Sequence, residues 1–307
     1  LDRNREVICS YGSYGGLSQP EWARVGDADA DFSALVAEIL ENREQWQLHP
    51  DKRATYFSSY LDHQNQQIRT VAHIEVARAP YDQIRKFEGV LPFPKLRSSL
   101  QNFRLTDWHP LYILLLSLSG QAEDLALVSG KVRSAATTGL SLHLAAWVTA
   151  WIEMEPEKAL PFLTEKYLAG PPRDPAEIRA IFRALSVHGN RGHRYLRKQI
   201  TEAYRHILKQ HPQMASEAVK DLMLWQQWGL KDSLRPIMLD PGSGLDQGSR
   251  LQIAAYIRKA EDISATDPPE RKNDRLRGLF LSVLLLLIAF PASLRLYRWR
   301  AQRARLP

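Results

Sequence analysis

The side chains best suited to chemistry in this 307-residue chain are its histidines, because imidazole serves as a general base and as a metal ligand near neutral pH. Nine occur, and the closest group of them comprises His188, His193, His206 and His211. Their two spacings of five residues do not place a pair on one helical face, which requires three or four. Arg191, Arg194 and Arg197 would repel a cation there. We therefore predict separate, exposed histidines in loops and at helix ends, and keep a metal or cofactor site at 188–211 as the alternative.

Acidic residues form two further groups. The run E-M-E-P-E at 153–157 could supply a pair of catalytic carboxylates, but acidic charge around Pro156 is better explained as stabilising the start of a helix. The run D-A-D-A-D at 27–31 has the spacing of calcium ligands, yet it lacks the glycine and the distal glutamate of an EF-hand. Asp31 is better explained as a helix N-cap.

No motif of a known catalytic site is present. The patterns G-x-S-x-G, G-x-x-x-x-G-K-[ST], G-x-G-x-x-G and H-E-x-x-H do not occur. Cys9 is the single cysteine, so the chain can form neither an internal disulfide nor a cysteine-based metal cluster. We expect no catalytic residue, no metal ligand and no bound cofactor, and hence a protein that is not an enzyme.

The tryptophans indicate a different kind of function. Two pairs stand at helical spacing, Trp147 with Trp151 and Trp225 with Trp228. Such pairs usually pack between neighbouring helices, but tryptophan is also enriched at the centre of protein–protein interfaces. Core packing is favoured, and a surface that contacts a partner protein remains the candidate function of these four residues.

The net charge of +7 is unevenly distributed along the chain. Nine of the 41 basic residues, but one of the 34 acidic residues, lie in 271–307, which leaves residues 1–270 with a net charge of −1. A basic protein often binds nucleic acid, but that requires basic residues spread over a folded surface. We therefore predict no nucleic-acid partner.

The same C-terminal region contains the most apolar run, GLFLSVLLLLIAFPASL at 278–294. As a helix it would cover about 25 Å, and residues 295–299 extend it towards the ~30 Å of a bilayer core. A buried helix of a soluble fold is the alternative, although such helices are rarely apolar on every face. We predict a single transmembrane helix over 278–297. Its anchoring positions are Gly278, Leu284, Leu287, Phe290, Pro291 and Leu294.

The arginines on either side of this run predict its orientation. Five follow it without an acidic residue, whereas four bases and two acids precede it. Because basic residues stay on the cytoplasmic side, the asymmetry favours an inner-membrane protein with a periplasmic body and a cytoplasmic C-terminus. That requires a cleaved signal sequence or an earlier span, and a tail-anchored protein with a cytoplasmic body is the rival. The topology residues are Arg295, Tyr297, Arg298, Trp299, Arg300, Arg303 and Arg305.

Upstream of the apolar run, the sequence has the periodicity of helices. Apolar residues recur every three or four positions in segment after segment, and glycine or proline separates the segments. The segments pair as hairpins at 51–61/65–78, 109–119/121–132, 137–153/155–168, 174–187/194–209 and 212–223/225–237. Sustained alternation of apolar and polar residues is missing beyond residue 31. The sequence therefore predicts an all-α fold.

One hairpin resembles a known repeat. After the turn at Asp62-His63, the second helix reads Ile68-Arg69-x-x-Ala72-x-x-Glu75-x-Ala77, which resembles the second helix of a HEAT-type repeat. The blocks at 111–120 and 221–230 are similar to HEAT-like proteins of the bacterial envelope. This resemblance implies an α-solenoid of HEAT-like hairpins. It also implies a small β domain before the repeats, whose last strand could be the β-prone run Glu6–Tyr11.

These expectations divide the chain into five segments. They are an irregular or β-like segment at 1–30, a HEAT-like repeat domain at 31–263, a linker at 264–277, the transmembrane helix at 278–297 and a basic tail at 298–307. Solenoids expose long curved faces that bind other proteins. We expect a membrane-anchored scaffold or accessory subunit whose partners are the bilayer and other subunits of a membrane complex, an electron-transfer assembly among the candidates. A metal- or cofactor-binding envelope protein and a tail-anchored cytoplasmic adaptor are the alternatives.

Overall fold

A computed structural model describes residues 6–12, 21–139 and 142–266. In these ranges two strands precede fifteen α-helices, so the predicted all-α class is confirmed for the body of the protein. The strands are β1 (Val7–Gly12) and β2 (Glu21–Asp27). The helices are α1 (Ala30–Glu41), α2 (Arg43–Leu48), α3 (Pro50–Ser58), α4 (Gln66–Ala77), α5 (Tyr81–Ile84), α6 (Phe93–Gln101), α7 (His109–Leu116), α8 (Ala122–Thr138), α9 (Leu144–Met154), α10 (Pro156–Leu163), α11 (Pro175–Arg191), α12 (Arg197–Gln210), α13 (Ala215–Trp225), α14 (Lys231–Leu239) and α15 (Gln247–Thr266).

The two strands form an antiparallel pair at the N-terminal end, with an irregularity in register between Ile8 and Cys9. The first strand occupies the β-prone run of the sequence. Two hydrogen bonds attach the hairpin and the start of α1 to α4. The Asp27 amide donates to Gln67 Oε1 at 3.0 Å, and the Asn65 side chain donates to Asp29 Oδ2 at 2.9 Å.

The start of α1 corrects one prediction. Asp29, not Asp31, is the N-cap, because its carboxylate accepts a hydrogen bond from the Phe32 amide. Asp31 lies in the first turn, where its negative charge is attracted to the positive end of the helix dipole. A run that alternates aspartate with alanine offers several possible caps, and the sequence alone does not decide which one the chain uses.

The helices after residue 108 pack in a regular order. α9 contacts α7, α8, α10 and α11, and the succession continues from α11 to α13 and from α13 to α15. Such a central position explains why α9 is apolar on nearly every side, with Val148, Trp151 and Ile152 fully buried. The helices α7, α9, α11, α13 and α15 therefore form a row in which each helix contacts the next.

A glycine sets the distance between two helices of that row. A Cβ atom at Gly189 of α11 would come 2.1 Å from the ring of Trp225 on α13, which is closer than two non-bonded atoms can approach. The indole lies over the glycine and donates from Nε1 to Asn190 Oδ1 at 2.8 Å. Gly189 thus permits a close approach of the two helices.

In the described part of the chain, the structure contains no helix with both the length and the apolar character that a membrane crossing requires. The transmembrane helix predicted at 278–297 and the basic tail at 298–307 lie outside the described residues, and so do their anchor and topology positions from Gly278 to Arg305. Most of the linker predicted at 264–277 also lies outside them, while its first three residues belong to α15.

Candidate functional site

The first candidate site is a groove of about 720 Å³ bordered by α6, α8, α9 and the 3-10 turn Phe103–Trp108. Its lining is mainly apolar, with Leu100, Leu127 and Trp147 among its residues. Two further apolar side chains of the lining are left in solvent. Phe103 is 88% exposed and Leu142 is 66% exposed. Exposed aromatic and aliphatic groups at the edge of a groove are typical of surfaces that contact other proteins.

The four tryptophans predicted as a partner surface are separated by the fold. Trp151 and Trp225 are buried in the core, so a partner cannot contact them in this conformation. Trp228 is partly buried against the ring of Tyr256, at a centroid distance of 5.3 Å. Trp147 alone of the four lines the groove. Core packing, the favoured interpretation of the pairs, therefore accounts for one member of each pair.

Two histidines line the same groove. His109 is buried, and its Nε2 lies 3.1 Å from the carbonyl oxygen of Ser99. His143 has a left-handed backbone, with φ of 58°, which is uncommon for a residue other than glycine. Burial lowers the pKa of His143, and the neighbouring His109, whose ring centroid lies 5.8 Å away, adds to that effect. The ring of His143 is therefore neutral at pH 7.

The second candidate site is a cluster of polar side chains between α5, α9 and α11. Glu153, His188 and His193 each direct one possible ligand atom to it, and these atoms lie within 4.8 Å of one another. The carboxylate is held from α5: the Tyr81 hydroxyl donates to Oε2 at 2.9 Å, and Arg85 Nε donates to Oε1 at 2.8 Å. The chain thereby joins residues about 70 positions apart in one buried network.

The hydrogen bonding of His188 defines its tautomer. Its side chain is fully buried in α11, and Nε2 lies 2.9 Å from the carbonyl oxygen of Thr149. Because a carbonyl can only accept, Nε2 carries the proton, and Nδ1 presents its lone pair. Within the described ranges Nδ1 has no hydrogen-bond partner. Burial lowers the pKa of His188 to about 4, so the ring is neutral at pH 7.

The backbone beside that lone pair is kept open. A Cβ atom at Gly192 would come 2.5 Å from His188 Nδ1, so any larger residue at this position would crowd the nitrogen. His193 follows directly and stacks on His188, with the two rings 5° from parallel and their centroids 5.4 Å apart. Its Nε2 lies 3.4 Å from Glu153 Oε2, and its side chain is 17% exposed.

This arrangement differs in part from the prediction, because His188 and His211 are buried and not exposed. His188 and His193 do meet, although they do not share one helical face, because the chain leaves the helix at Gly192 and turns back. His206 and His211 do not belong to the cluster among the residues that the structure describes. The sequence predicts Glu153 at the start of a helix, but in the structure it lies in the last turn of α9. Glu155 is the N-cap residue of α10 and Glu157 lies in its first turn, so these two acids do stand at a helix start.

The arginines near these histidines have contacts outside the cluster. Arg191 forms an ion pair with Asp82 at 3.6 Å, and Arg197 donates from Nε to the Gly189 carbonyl oxygen at 2.9 Å. Burial lowers the pKa of Arg197, and the positive charge of Arg194 lowers it further. All three arginines border a separate cavity of about 720 Å³ that also includes Tyr81. The ion pair with Asp82 thus reduces the repulsion that Arg191 would exert on a cation.

Comparisons with known proteins do not assign either site. No protein-family model, no curated protein and no solved structure matches the chain.

Proposed function

We propose that this chain is a membrane-anchored helical-repeat scaffold or accessory subunit that binds another protein of a membrane complex. The observation that carries the proposal is the packing of α7, α9, α11, α13 and α15, each against the next of the row. Packing between every second helix is what an α-solenoid of HEAT-like hairpins requires. An electron-transfer assembly is one host of this kind. The apolar run at 278–297 would hold the scaffold in the bilayer.

The groove is the part of the scaffold that we assign to the partner. Phe103 and Leu142 both expose apolar surface at the groove, and Trp147 adds an aromatic ring to its lining. Lys131 also lines the groove and carries a positive charge. The occupant that fits is an apolar segment of a partner subunit with an acidic residue beside it, because the lysine would then be paired when water is excluded.

Site-specific photocrosslinking in native membranes tests this assignment. A benzoylphenylalanine replacing Phe103 or Leu142 should give one discrete adduct, and mass spectrometry should identify the same partner from both positions. Leu251 on α15 is the matched control, because it is an equally exposed leucine, at 65%, far along the chain from the groove. Equal adducts at Leu251, or none at the groove positions, would count against a partner in the groove.

The side of the membrane is tested separately. A protease added to intact spheroplasts should cleave a periplasmic body, whereas a cytoplasmic body would be protected until the membrane is opened. Protection would favour the tail-anchored adaptor and leave the scaffold role unaffected, since the packing of the helices does not depend on the compartment.

A further inference from the structure

The polar cluster has a feature that its hydrogen bonds leave unexplained. A buried imidazole nitrogen without a partner is costly, because the nitrogen loses its bond to water and gains nothing in return. His188 Nδ1 is such an atom, in a side chain that is 0% exposed. Gly192 leaves a space without a side chain next to this nitrogen, and His193 and Glu153 each place a possible ligand atom within 4.8 Å of that of His188. An electron-pair acceptor placed there would satisfy it.

We infer that Glu153, His188 and His193 bind a divalent transition-metal ion of the zinc class. Two imidazoles and one carboxylate are a donor set that zinc accepts, and three protein ligands leave a coordination position for water. Hard cations such as Mg²⁺ and Ca²⁺ prefer oxygen ligands throughout, so they do not fit two histidines. The ligand atoms are Nδ1 of His188, Oε2 of Glu153 and a ring nitrogen of His193. This site is independent of the groove and of the proposed scaffold role.

The outer partners of these ligands are those that a metal site needs. The Thr149 carbonyl holds His188 by Nε2, so the ring can turn only Nδ1 towards a metal. Arg85 bonds Oε1 of Glu153 and leaves Oε2 on the side of the histidines. A backbone carbonyl that accepts from the second ring nitrogen orients a histidine ligand and raises its basicity, and a hydrogen bond to a carboxylate ligand fixes its orientation. The positive charge of Arg85 opposes the cation, and its ion pair with the carboxylate limits this effect.

Only a small movement is needed to close the site. Atoms bound to one tetrahedral zinc ion stand about 3.3 Å apart, given bonds of about 2 Å, and the three candidate atoms here all lie within 4.8 Å of one another. His193 can supply the movement, because it lies outside α11, follows a glycine and is partly exposed. His188 and Glu153 are held by their helices and define the fixed half of the site.

Metal titration of the purified full-length protein in detergent tests the inference. After treatment with a chelator, the protein should bind one zinc ion per chain in competition with a chromogenic zinc indicator. Cobalt in the same position should give the visible absorption of a four- or five-coordinate ion, and magnesium or calcium should not displace it. The His193→Gln variant should lower the zinc affinity at least tenfold. We choose His193 because a partly exposed residue outside a helix can be replaced without unfolding the protein.

Two further variants make the result decisive. Glu153→Gln keeps the size of the side chain and should also weaken zinc binding, with circular dichroism showing that the helices are retained. His49→Gln removes an exposed histidine that is not part of the cluster, and this variant should bind zinc as the unchanged protein does. If the unchanged protein binds no stoichiometric zinc, or if His193→Gln binds it equally well, the cluster is a structural network and the inference is wrong.

Discussion

At Gly189 the absence of a side chain lets the indole of Trp225 lie against the backbone of α11. An alanine would place its methyl group inside the ring, so either the indole or α13 must move, and the hydrogen bond from Trp225 to Asn190 would be strained. We expect Gly189→Ala to lower the free energy of unfolding by about 1–3 kcal/mol. Urea denaturation followed by circular dichroism measures this change.

Gly130 provides the matched control for that substitution. It lies in the middle of α8, is exposed, and no other side chain comes within 4 Å of the position of a Cβ atom there. Alanine is the better helix former, so Gly130→Ala should raise the free energy of unfolding by roughly 0.5–1 kcal/mol. Two substitutions with the same sign would contradict the packing described for Gly189.

His73 makes the stability of the body dependent on pH. The ring is buried, Nδ1 donates to the Arg69 carbonyl oxygen at 2.7 Å, and Nε2 accepts from the Tyr112 hydroxyl at 2.7 Å. Burial lowers the pKa of His73 below 6.5, and the charge of Arg69 acts in the same direction. The unfolded chain therefore takes up a proton at a higher pH than the folded one, so the stability is complete above about 6.5 and falls as the pH falls below it.

The His73→Gln variant tests this contribution. Glutamine keeps a polar group for Tyr112 but does not titrate, so the variant should lose less stability than the unchanged protein between pH 7 and pH 5. Denaturation curves at several pH values measure the difference. Identical slopes would show that His73 takes up its proton equally easily in both states.

Between secondary-structure elements, a buried ion pair links α6 to α8. Asp124 is 1% exposed and accepts two hydrogen bonds from Arg97, at 2.7 and 2.9 Å. Burial raises the pKa of Asp124, but the hydrogen bonds from Arg97 and Ser119 and the charge of Arg97 outweigh it, so the pKa lies below 3.8. This contribution is present above that value and is lost as the pH falls through the lowered pKa.

The Asp124→Asn variant should show how much the pair contributes. It removes the buried carboxylate from Arg97, which keeps its pair with the exposed Glu123. We expect a loss of about 2–3 kcal/mol, since one side of the pair is partly exposed. Lys95→Met serves as the control. Lys95 pairs with Asp62 on the surface, where such pairs contribute less than about 1 kcal/mol. Equal losses in urea denaturation would contradict a special role for Asp124.

The elements themselves could be read from the sequence more readily than their contacts. Apolar periodicity predicts the helical hairpins because each helix must bury one face, and the residues of that face recur every three or four positions. The sequence does not predict the second strand, because E-W-A-R-V-G-D has no clear alternation of apolar and polar residues. The cluster of Glu153 with Tyr81 and Arg85 could not be predicted, because it depends on how α5 packs against helices about 70 residues away.

For the whole molecule, membrane attachment is the property to test. If the apolar run at 278–297 is the anchor, the full chain should remain in the membrane fraction after alkaline carbonate extraction, and a chain ending at residue 270 should be released. The body should keep its helical circular dichroism in both, because α15 ends before the deletion. Retention of the shortened chain in the membrane fraction would assign the attachment to a partner instead.

The row from α7 to α15 also affects how the chain folds as it is made. Each helix of the row contacts helices that are close to it in sequence, so most native contacts of this region can form soon after their residues leave the ribosome. The core can therefore grow from the N-terminal end, one hairpin at a time, without waiting for a distant segment. Synthesis in this order would bury Trp151 before α15 exists, and would complete the body before the most apolar segment of the chain emerges.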